Sequence, residues 1–538
     1  MPSLAVVNGS ASGLKDDTTQ RDEALLASLG YKQELRRTFK PFELFGLAFS
    51  IIGLLPSMAS VLFFAIPNGG GPAMVWGWMV ASLFVVLIGI AIAELASAAP
   101  TSGGLYFWTH SLSSPRWKNV LCWTVGYSNT LGNISGVAGI NWGCSVQIMA
   151  AASIGSNGTF TATPAQLFGL YAAITVSHAV ICCFGTTLLA RLQNLYIVLN
   201  ILLCLAIIIG LPAATPTEFR NPAKTALWDF SNLHGYPNGF AFILSFMAPL
   251  WTIGGFDSAV HISEEASNAA IAVPWAIVSA IAISGILGWA INMSLAFCMG
   301  RDLLSLVNSD QPMAAIFFNS FGHKTTLVIW SFVVIVQYMM GTSMLLSASR
   351  QTFAFSRDSA LPFSKWLYRV NGYTKAPVNT VLFAAGSAIA LGLLAFAGSQ
   401  ATNALFSLGV IALYYAFTVP ICARFLGKNN FKPGPFYCGI LSVPISVTAI
   451  IFMTFMIIVF LFPTTPQTNV GEMNYAVAFF GGVMVLCLIY YYFPVFGGIN
   501  WFTGPRANVG SLPDSGSTGS FDEEKKGGTM QTVEVINS

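Results

Sequence analysis

Residues 251–265 read WTIGGFDSAVHISEE, which puts two glycines, an aspartate, a histidine and two glutamates into a stretch flanked by apolar residues. An aspartate at the centre of a bilayer costs on the order of 2.5 to 3.5 kcal/mol, so it is seldom found there without a partner or a water-filled cavity. The two glycines weaken a helix at the same place. The stretch therefore predicts an interrupted membrane helix beside a polar site.

The composition of the whole chain also indicates a membrane protein. Of its 538 residues 55% are hydrophobic and 8% are charged, against about 25% charged residues in soluble domains. The nine cysteines lie in or beside apolar runs without a CxxC pair, so we expect them to pack between helices and expect no metal site. No phosphate-binding GxxxxGK[ST] loop and no convergent His, Cys and Asp set is present, so neither a primary pump nor an enzyme is expected. The predicted partners are the lipid bilayer and a small molecule, with no indication of nucleic acid.

The hydropathy pattern predicts an all-α integral membrane protein with twelve transmembrane helices, because each apolar run suffices for one or two spans of about 20 residues. The predicted spans are 43–65, 73–95, 119–150, 165–184, 192–212, 239–262, 274–299, 326–355, 378–397, 402–424, 440–462 and 475–496.

The basic residues predict the orientation of these spans. With both chain ends in the cytoplasm, only Arg220, Lys224, Arg301 and Lys324 of the 24 Lys and Arg residues fall on the outer side, as the positive-inside rule requires. The polar segments 1–40 and 501–538 are predicted to be disordered cytoplasmic tails around a permease domain at 41–500.

Two predicted spans are interrupted at corresponding places. The first contains SIIGLLPS (50–57), with a glycine and a proline near its middle, and the sixth contains GGFDS (254–258). Proline removes a backbone donor and bends a helix. Five spans separate the breaks, which is the spacing of an inverted five-plus-five repeat with repeat one at 43–212, repeat two at 239–424 and two further spans at 440–496.

The chain resembles the amino acid-polyamine-organocation (APC) permeases, and within them the fungal amino acid and choline branch that includes the GABA permeases. Four stretches carry the resemblance: AFSIIG (48–53), AELASAAPTSGGLY (93–106), GFDS with His261 and Glu264-Glu265, and the segment from Ser349-Arg350 to Asp358 with ALP (360–362). The resemblance implies a LeuT-like fold, in which substrate is held between broken helices 1 and 6. Carried over, it implies a substrate carboxylate on the backbone N–H groups around Gly53–Ser57, an amino group on the carbonyls around Thr252–Gly255, and Phe256 as the covering aromatic. The substrate-binding set that follows is Ser50, Gly53, Leu55, Pro56, Ser57, Thr252, Gly254, Gly255, Phe256, Asp257 and Ser258.

Coupling and gating are assigned to a second set of residues: Asn200, His261, Glu264, Glu94 and Ser343. Some bacterial relatives carry the coupling proton on a lysine where this chain has Asn200, which cannot titrate. Asp257 either binds ammonium, carries a proton or caps the second half-helix. Glu94 or Glu264 is predicted to pair with Arg350 or Arg357 as an inner gate, and one of Glu264 and Glu265 to be solvated. Ser343 either lines a cation site or forms an ordinary interhelical hydrogen bond.

The sequence thus predicts a secondary transporter that imports an amino acid or a GABA-like zwitterion. We expect it to need no cofactor and to be driven by the proton gradient. A permease for choline, polyamine or another organic cation is the alternative, and a non-transporting nutrient sensor is the second alternative. We expect a multi-pass protein of the plasma membrane, with the vacuole or another organelle as the alternative location. The sequence leaves the oligomeric state open.

Overall fold

The structure is a computed structural model that describes residues 11–374, 376–463, 465–466 and 473–508. Its main helices are α1 (Ala11–Ser28), α2 (Pro41–Ile52), α3 (Leu54–Ala65), α4 (Trp78–Ala98), α5 (Leu105–Leu112), α6 (Lys118–Gly155), α7 (Pro164–Phe184), α8 (Thr186–Ala214), α9 (Asn238–Leu244), α10 (Met247–Thr252), α11 (Ser258–His261), α12 (Ala269–Cys298), α13 (Pro312–Arg357), α14 (Val378–Gly392), α15 (Ser399–Leu426), α16 (Ser442–Val459) and α17 (Ala476–Tyr492). Short helical turns connect them at Gly70–Pro72, Ala73–Gly77, Thr217–Phe219, Ala223–Leu227, Ser263–Glu265, Leu303–Val307, Ser364–Leu367, Leu393–Ala397, Gly439–Leu441 and Gly498–Asn500. Within the described ranges the sheet is a single antiparallel pair of two-residue strands, β1 (Asn68–Gly69) and β2 (Ser231–Asn232).

The all-α membrane class predicted from composition is confirmed. Ten of the described helices are long and apolar enough to cross a membrane, and two shorter apolar helices cover Asn238–Thr252 and Ala476–Tyr492. Each predicted span overlaps one of these helical segments. The longest, α13, bends at Gly322, where φ is +71°, so the predicted eighth span begins just after the bend.

The core runs along α6, which packs against both α13 and α15. Glycines on α6 allow this close approach: Gly126 faces the ring of Phe355, and Gly132 faces Leu413. Small residues at helix contacts are the usual solution inside membranes, since burying apolar surface from lipid gains little there. The close packing holds α13 and α15 against α6.

The prediction of a disordered N-terminal tail is wrong for its described part. Residues 11–28 form α1, and Leu26, Tyr31, Leu35 and Phe39 are buried against the bundle. The backbone N–H groups of Thr38 and Phe39 donate to Glu265 O at 2.9 and 3.0 Å. Composition did not predict this order because the segment has only a few, widely spaced apolar residues. These suffice to hold the segment once the folded helix bundle provides a surface that buries them.

The C-terminal tail is also ordered where it is described. Phe502 is buried against Trp123, and Asn508 N donates to Gly30 O at 2.9 Å. The remainder of the predicted disordered tail, 509–538, lies outside the described residues. Segments 30–39 and 501–508 together form what we call the terminal clasp.

Candidate functional site

The first predicted break is present between α2 and α3. Gly53 adopts φ +46°, and a Cβ atom there would lie 2.6 Å from Met340 Sδ, so both conformation and space require glycine. Across the break, Gly53 N donates to Phe49 O and Ser57 N donates to Gly53 O. The N–H groups of Leu54 and Leu55 have no backbone partner in the described part of the chain, as expected for the first turn of a new helix. The Leu55 N–H instead faces the Cys204 thiol. Pro56, which has no N–H, also lies in this first turn, where no backbone acceptor would be available for one.

The second predicted break separates α10 from α11. Residues 253–257 leave the helical path, with Gly255 at φ +73°. A Cβ atom on Gly255 would lie 2.5 Å from Ile51 Cγ2. The two interrupted helices thus meet at this contact, which is where the sequence places the substrate.

A small cavity of about 40 Å³ lies beside this contact. Among the described residues no charged side chain lines it. Its walls come from the broken helices (Ile51, Leu250, Trp251, Gly254, Gly255, Phe256), from α6 (Gly132, Gly136, Ile140), from α13 (Met340, Met344) and from α15 (Gly409, Val410, Leu413, Tyr414, Phe417). This volume has room for a few water molecules. We therefore expect the helices to move apart when an amino acid enters.

An aromatic layer closes the cavity toward the end that the basic residues predict to be outside, called here the outer end. Trp251 meets Phe406 edge to face at a centroid distance of 4.7 Å, and Phe63 meets Phe406 at 6.2 Å. Beyond this layer lie two cavities of about 260 and 320 Å³, both lined by Trp142, Asp310 and Asn403. The outer end thus contains open space that stops at the aromatic rings.

Buried ion pairs close the opposite, inner end. Arg357 donates to both oxygens of Glu264 at 2.9 and 3.0 Å, and Arg350 Nε donates to Glu265 Oε1 at 2.7 Å. Ser102 N adds a third bond to Glu264 at 3.0 Å. Burial alone would raise the pKa of Glu264, but the Arg357 charge and these hydrogen bonds hold it below its ordinary value. The pair with Arg357 is thus charged although it is buried.

The terminal clasp covers these pairs. The Arg357 guanidinium lies 3.9 Å from the ring centroid of Tyr31, and the Tyr31 hydroxyl donates to Asp358 Oδ2 at 3.1 Å. Asp358 also accepts from Tyr106 at 2.7 Å and from Arg506 N at 2.9 Å. Burial raises the pKa of Asp358, although Arg357 and its three donors act to lower it. Residues from both ends of the chain therefore converge on the inner closure.

The structure changes two of the gate assignments. Glu264 pairs with Arg357 as predicted, but Glu94 pairs with Arg424, and it also accepts from Ser442 Oγ at 2.5 Å and Cys438 N at 2.8 Å. Glu94 thus joins α4 to α15 and α16, away from the gate. The prediction of one solvated glutamate is also wrong, because Arg350 and Arg357 lie two turns apart on one face of α13 and supply a partner for each acid.

Some of the other predicted polar residues have hydrogen-bond partners, and others have none among the described residues. Ser50 Oγ lies 3.4 Å from Ser343 Oγ, which also accepts from Gln193 at 3.3 Å, so α2, α8 and α13 are joined there. Asn200 is buried in α8, and neither of its amide atoms has a hydrogen-bond partner among the described residues.

Three buried hydroxyls near the breaks are also without partners in the described structure. They belong to Ser57, Thr252 and Ser258. Buried polar groups are normally satisfied, but none of these three residues lines the central cavity.

Sequence reasoning missed several residues that complete the closures. Tyr31 and Arg506 lay in segments judged disordered, and Arg424 is 330 residues from Glu94 along the chain. Ser102, which contacts His261, lies in the quoted stretch 93–106 but was not singled out, and Asn129, the other contact of His261, lies in no quoted motif. A buried acid in the sequence predicts that a basic partner exists. It does not identify which arginine forms the pair.

Comparison with known proteins identifies relatives along most of the chain. Residues 39–485 match the family model described as amino acid permease. The GABA-specific permease of Saccharomyces cerevisiae is 40% identical over 479 residues, covering 87% of this chain and 84% of the relative. An uncharacterized amino-acid permease of Schizosaccharomyces pombe is 38% identical over 492 residues, covering 91% and 89%. Amino-acid permease 2 of Neurospora crassa is 32% identical over 498 residues, covering 92% and 91%.

Proposed function

The chain belongs to the amino acid permease family, and we propose that it imports an amino acid or a GABA-like zwitterion by proton symport with alternating access. The observation that carries this proposal is the meeting of two interrupted helices, Ile51 against Gly255, at a cavity sealed at both ends. The resemblance assigns the N–H groups at the first break and the carbonyl groups at the second break to the substrate. These suit the carboxylate and the ammonium group of a zwitterion.

The same proposal includes the finer architecture. Twelve spans, with α9–α11 as the sixth and α17 as the twelfth, would form a LeuT-like pair of inverted repeats with both ends in the cytoplasm. The breaks at Gly53 and at 253–257 lie five spans apart in that scheme, which supports it. We place the protein in the plasma membrane, where import from the medium is needed.

Coupling to protons has a sufficient energy source. One charge that crosses about 100 mV gains about 2.3 kcal/mol, which supports roughly fifty-fold accumulation of a neutral substrate. No cofactor is required in this scheme. The cavity wall without charged side chains favours substrates whose net charge is zero.

An organic cation such as choline is the second candidate, and one observation favours it. The aromatic side chains of Trp251, Phe256, Tyr414 and Phe417 surround the cavity. Aromatic faces bind quaternary ammonium groups without a carboxylate partner. A binding protein that senses nutrients without transport is the third possibility, which the same assay distinguishes.

The test is uptake of labelled GABA by cells that lack their own carriers, at two external pH values, with unlabelled amino acids, choline and polyamines as competitors. We expect faster uptake at the more acidic pH and competition by a subset of amino acids. Inhibition by choline alone would favour the cation candidate. Saturable binding without uptake, with the protein verified at the surface, would favour the sensor.

A further inference from the structure

The buried carboxylates of the described chain differ in the kind of partner they have. Glu94, Glu264 and Glu265 pair with arginines, which stay charged at all physiological pH values. Glu43 and Asp22 accept backbone N–H bonds at helix starts, and Asp358 has three donors. Asp257 instead lies beside His261, with Oδ2 and Nε2 3.3 Å apart, and the two side chains are 2% and 0% exposed. It is thus the buried acid whose neighbour is a histidine, a side chain that can take up and release a proton.

The hydrogen bonds around His261 determine which ring nitrogen carries a proton. Nδ1 lies 3.0 Å from Ser102 O, and a carbonyl oxygen can only accept, so Nδ1 carries the hydrogen. Nε2 lies 3.4 Å from Asn129 Nδ2. Asn129 Oδ1 accepts from Asn133 Nδ2 at 2.8 Å, which turns the Asn129 amino group toward the ring. In neutral His261, therefore, Nε2 is the acceptor and its electron pair faces the Asn129 amino group.

This arrangement leaves a place for one proton between Asp257 and His261. Asp257 Oδ2 is buried, lies 3.3 Å from Nε2 and has no hydrogen-bond partner among the described residues. A proton added to Nε2 would displace the Asn129 amino group and place a positive charge beside the Oδ2 carboxylate oxygen. The charge of the pair would change from −1 to 0, and the only bond formed is N–H.

We propose that Asp257 and His261 together form the binding site for the coupling proton. This inference rests on the proposed proton symport and names the residues that carry it. Asp257 directly follows Phe256 and Gly255, which line the central cavity, so water reaches the pair when the cavity opens. The proton binds from water on the outer side and returns to water on the inner side.

The same site connects to the inner closure. His261 donates to Ser102 O, while Ser102 N donates to Glu264, so one residue links the proton site to the Glu264–Arg357 pair. The charged groups on the surrounding elements already form ion pairs. Glu264 and Glu265 follow His261 closely in the chain, and they pair with Arg357 and Arg350 of α13. Among the other packed helices, α12 has no charged residue, α6 carries only Lys118 at its start, and Glu43 of α2 accepts from Lys40 N. Protonation of this pair is thus a local charge change directly behind the gate.

The test uses the full-length protein in liposomes and the labelled amino acid that the uptake panel ranks first. Two rates are compared: net uptake driven by an inward proton gradient, and exchange of labelled external for unlabelled internal substrate without a gradient. We expect His261→Gln to lower gradient-driven uptake at least tenfold while exchange persists and becomes independent of pH. His178→Gln, a change at another buried membrane histidine, is the matched control and should keep its coupling.

Asp257→Asn provides a second and independent readout. Removal of the neighbouring carboxylate disfavours the protonated pair, so the pH midpoint of exchange should move down by about one unit or more. This shift decides the question even if His261→Gln is inactive, because a purely structural role would change the rate without moving the midpoint. An unshifted midpoint in Asp257→Asn, or a His261→Gln protein that still couples, would overturn the inference while symport stands. Wild-type uptake whose rate does not depend on the proton gradient would instead overturn the proposed symport itself.

Discussion

The two ends of the transport path are closed by different chemistry. At the inner end, buried arginine–glutamate pairs are held by directional hydrogen bonds and covered by the terminal clasp. At the outer end, aromatic rings of Trp251, Phe63 and Phe406 meet edge to face below open cavities. Breaking a buried ion pair by removing one partner costs about 3 to 5 kcal/mol, whereas an aromatic contact contributes about 0.5 to 1.5 kcal/mol beyond its buried area. We therefore expect the outer end to open more readily than the inner end, in keeping with the proposed import.

The largest effect is expected where a buried charge loses its partner. Arg357→Ala leaves Glu264 and Asp358 buried without their cation, so we expect a loss of about 3 to 5 kcal/mol in the closed state and transport below a tenth of wild type. Uptake normalised to surface protein and thermal unfolding measure this. Arg369→Ala, at an exposed arginine nearby, is the control and should behave as wild type.

The reciprocal exchange Glu264→Arg with Arg357→Glu tests the pair itself. We expect it to recover part of the transport that either reversal alone abolishes. If both reversals together do no better than one, the pair does not act as a gate.

The next effect concerns the outer end. Phe406→Ala removes the ring that Trp251 and Phe63 contact, so the central cavity should open outward more often, by a factor of up to about ten. A cysteine introduced at Val410, which lines the cavity, reports this through its labelling rate with a membrane-impermeant thiol reagent. The same cysteine in a chain that keeps Phe406 is the control. Equal labelling rates would show that the aromatic layer is not the barrier.

Hydropathy and helix-breaking residues predicted most of the fold, because membrane helices must satisfy their own backbone and bury apolar side chains. The sequence located both breaks, since Gly53 and the pair at 254–255 permit backbone that other residues resist. It could not predict that Glu94 meets Arg424, because nothing local marks a contact over that separation. It also missed the terminal clasp, whose few apolar residues gain burial only from a surface that the rest of the chain builds.

A smaller effect tests whether the clasp strengthens the inner end. Tyr31→Phe removes one hydrogen bond to Asp358 but keeps the ring over Arg357, and Tyr106 and Arg506 N still donate. We expect a cost of about 1 kcal/mol, which would raise amide hydrogen exchange in 31–39 about fivefold. Tyr373→Phe, at a side chain that is 95% exposed, should change nothing. Unchanged amide hydrogen exchange in Tyr31→Phe would show that the terminal clasp does not strengthen the inner end.

The smallest effect comes from the other half of the clasp. A chain ending after Thr503 loses the bonds of Arg506 N to Asp358 and of Asn508 N to Gly30 O. Since water replaces part of these partly exposed bonds, we expect about 0.5 kcal/mol and about a twofold faster cleavage of segment 30–39 by protease. A chain ending after Asn508 keeps both bonds and should resist cleavage like the full chain.

The contact of Asn508 with Gly30 also bears on biosynthesis. Proteins emerge from the ribosome N-terminus first, at about 5 to 20 residues per second, so residues 30–39 are made long before their partner. Residues 30–39 therefore remain without this partner until every helix has been inserted and the segment after α17 has been made. The inner face is therefore completed only after α17 has been made, and an undocked segment 30–39 marks a chain in which the segment after α17 has not yet arrived.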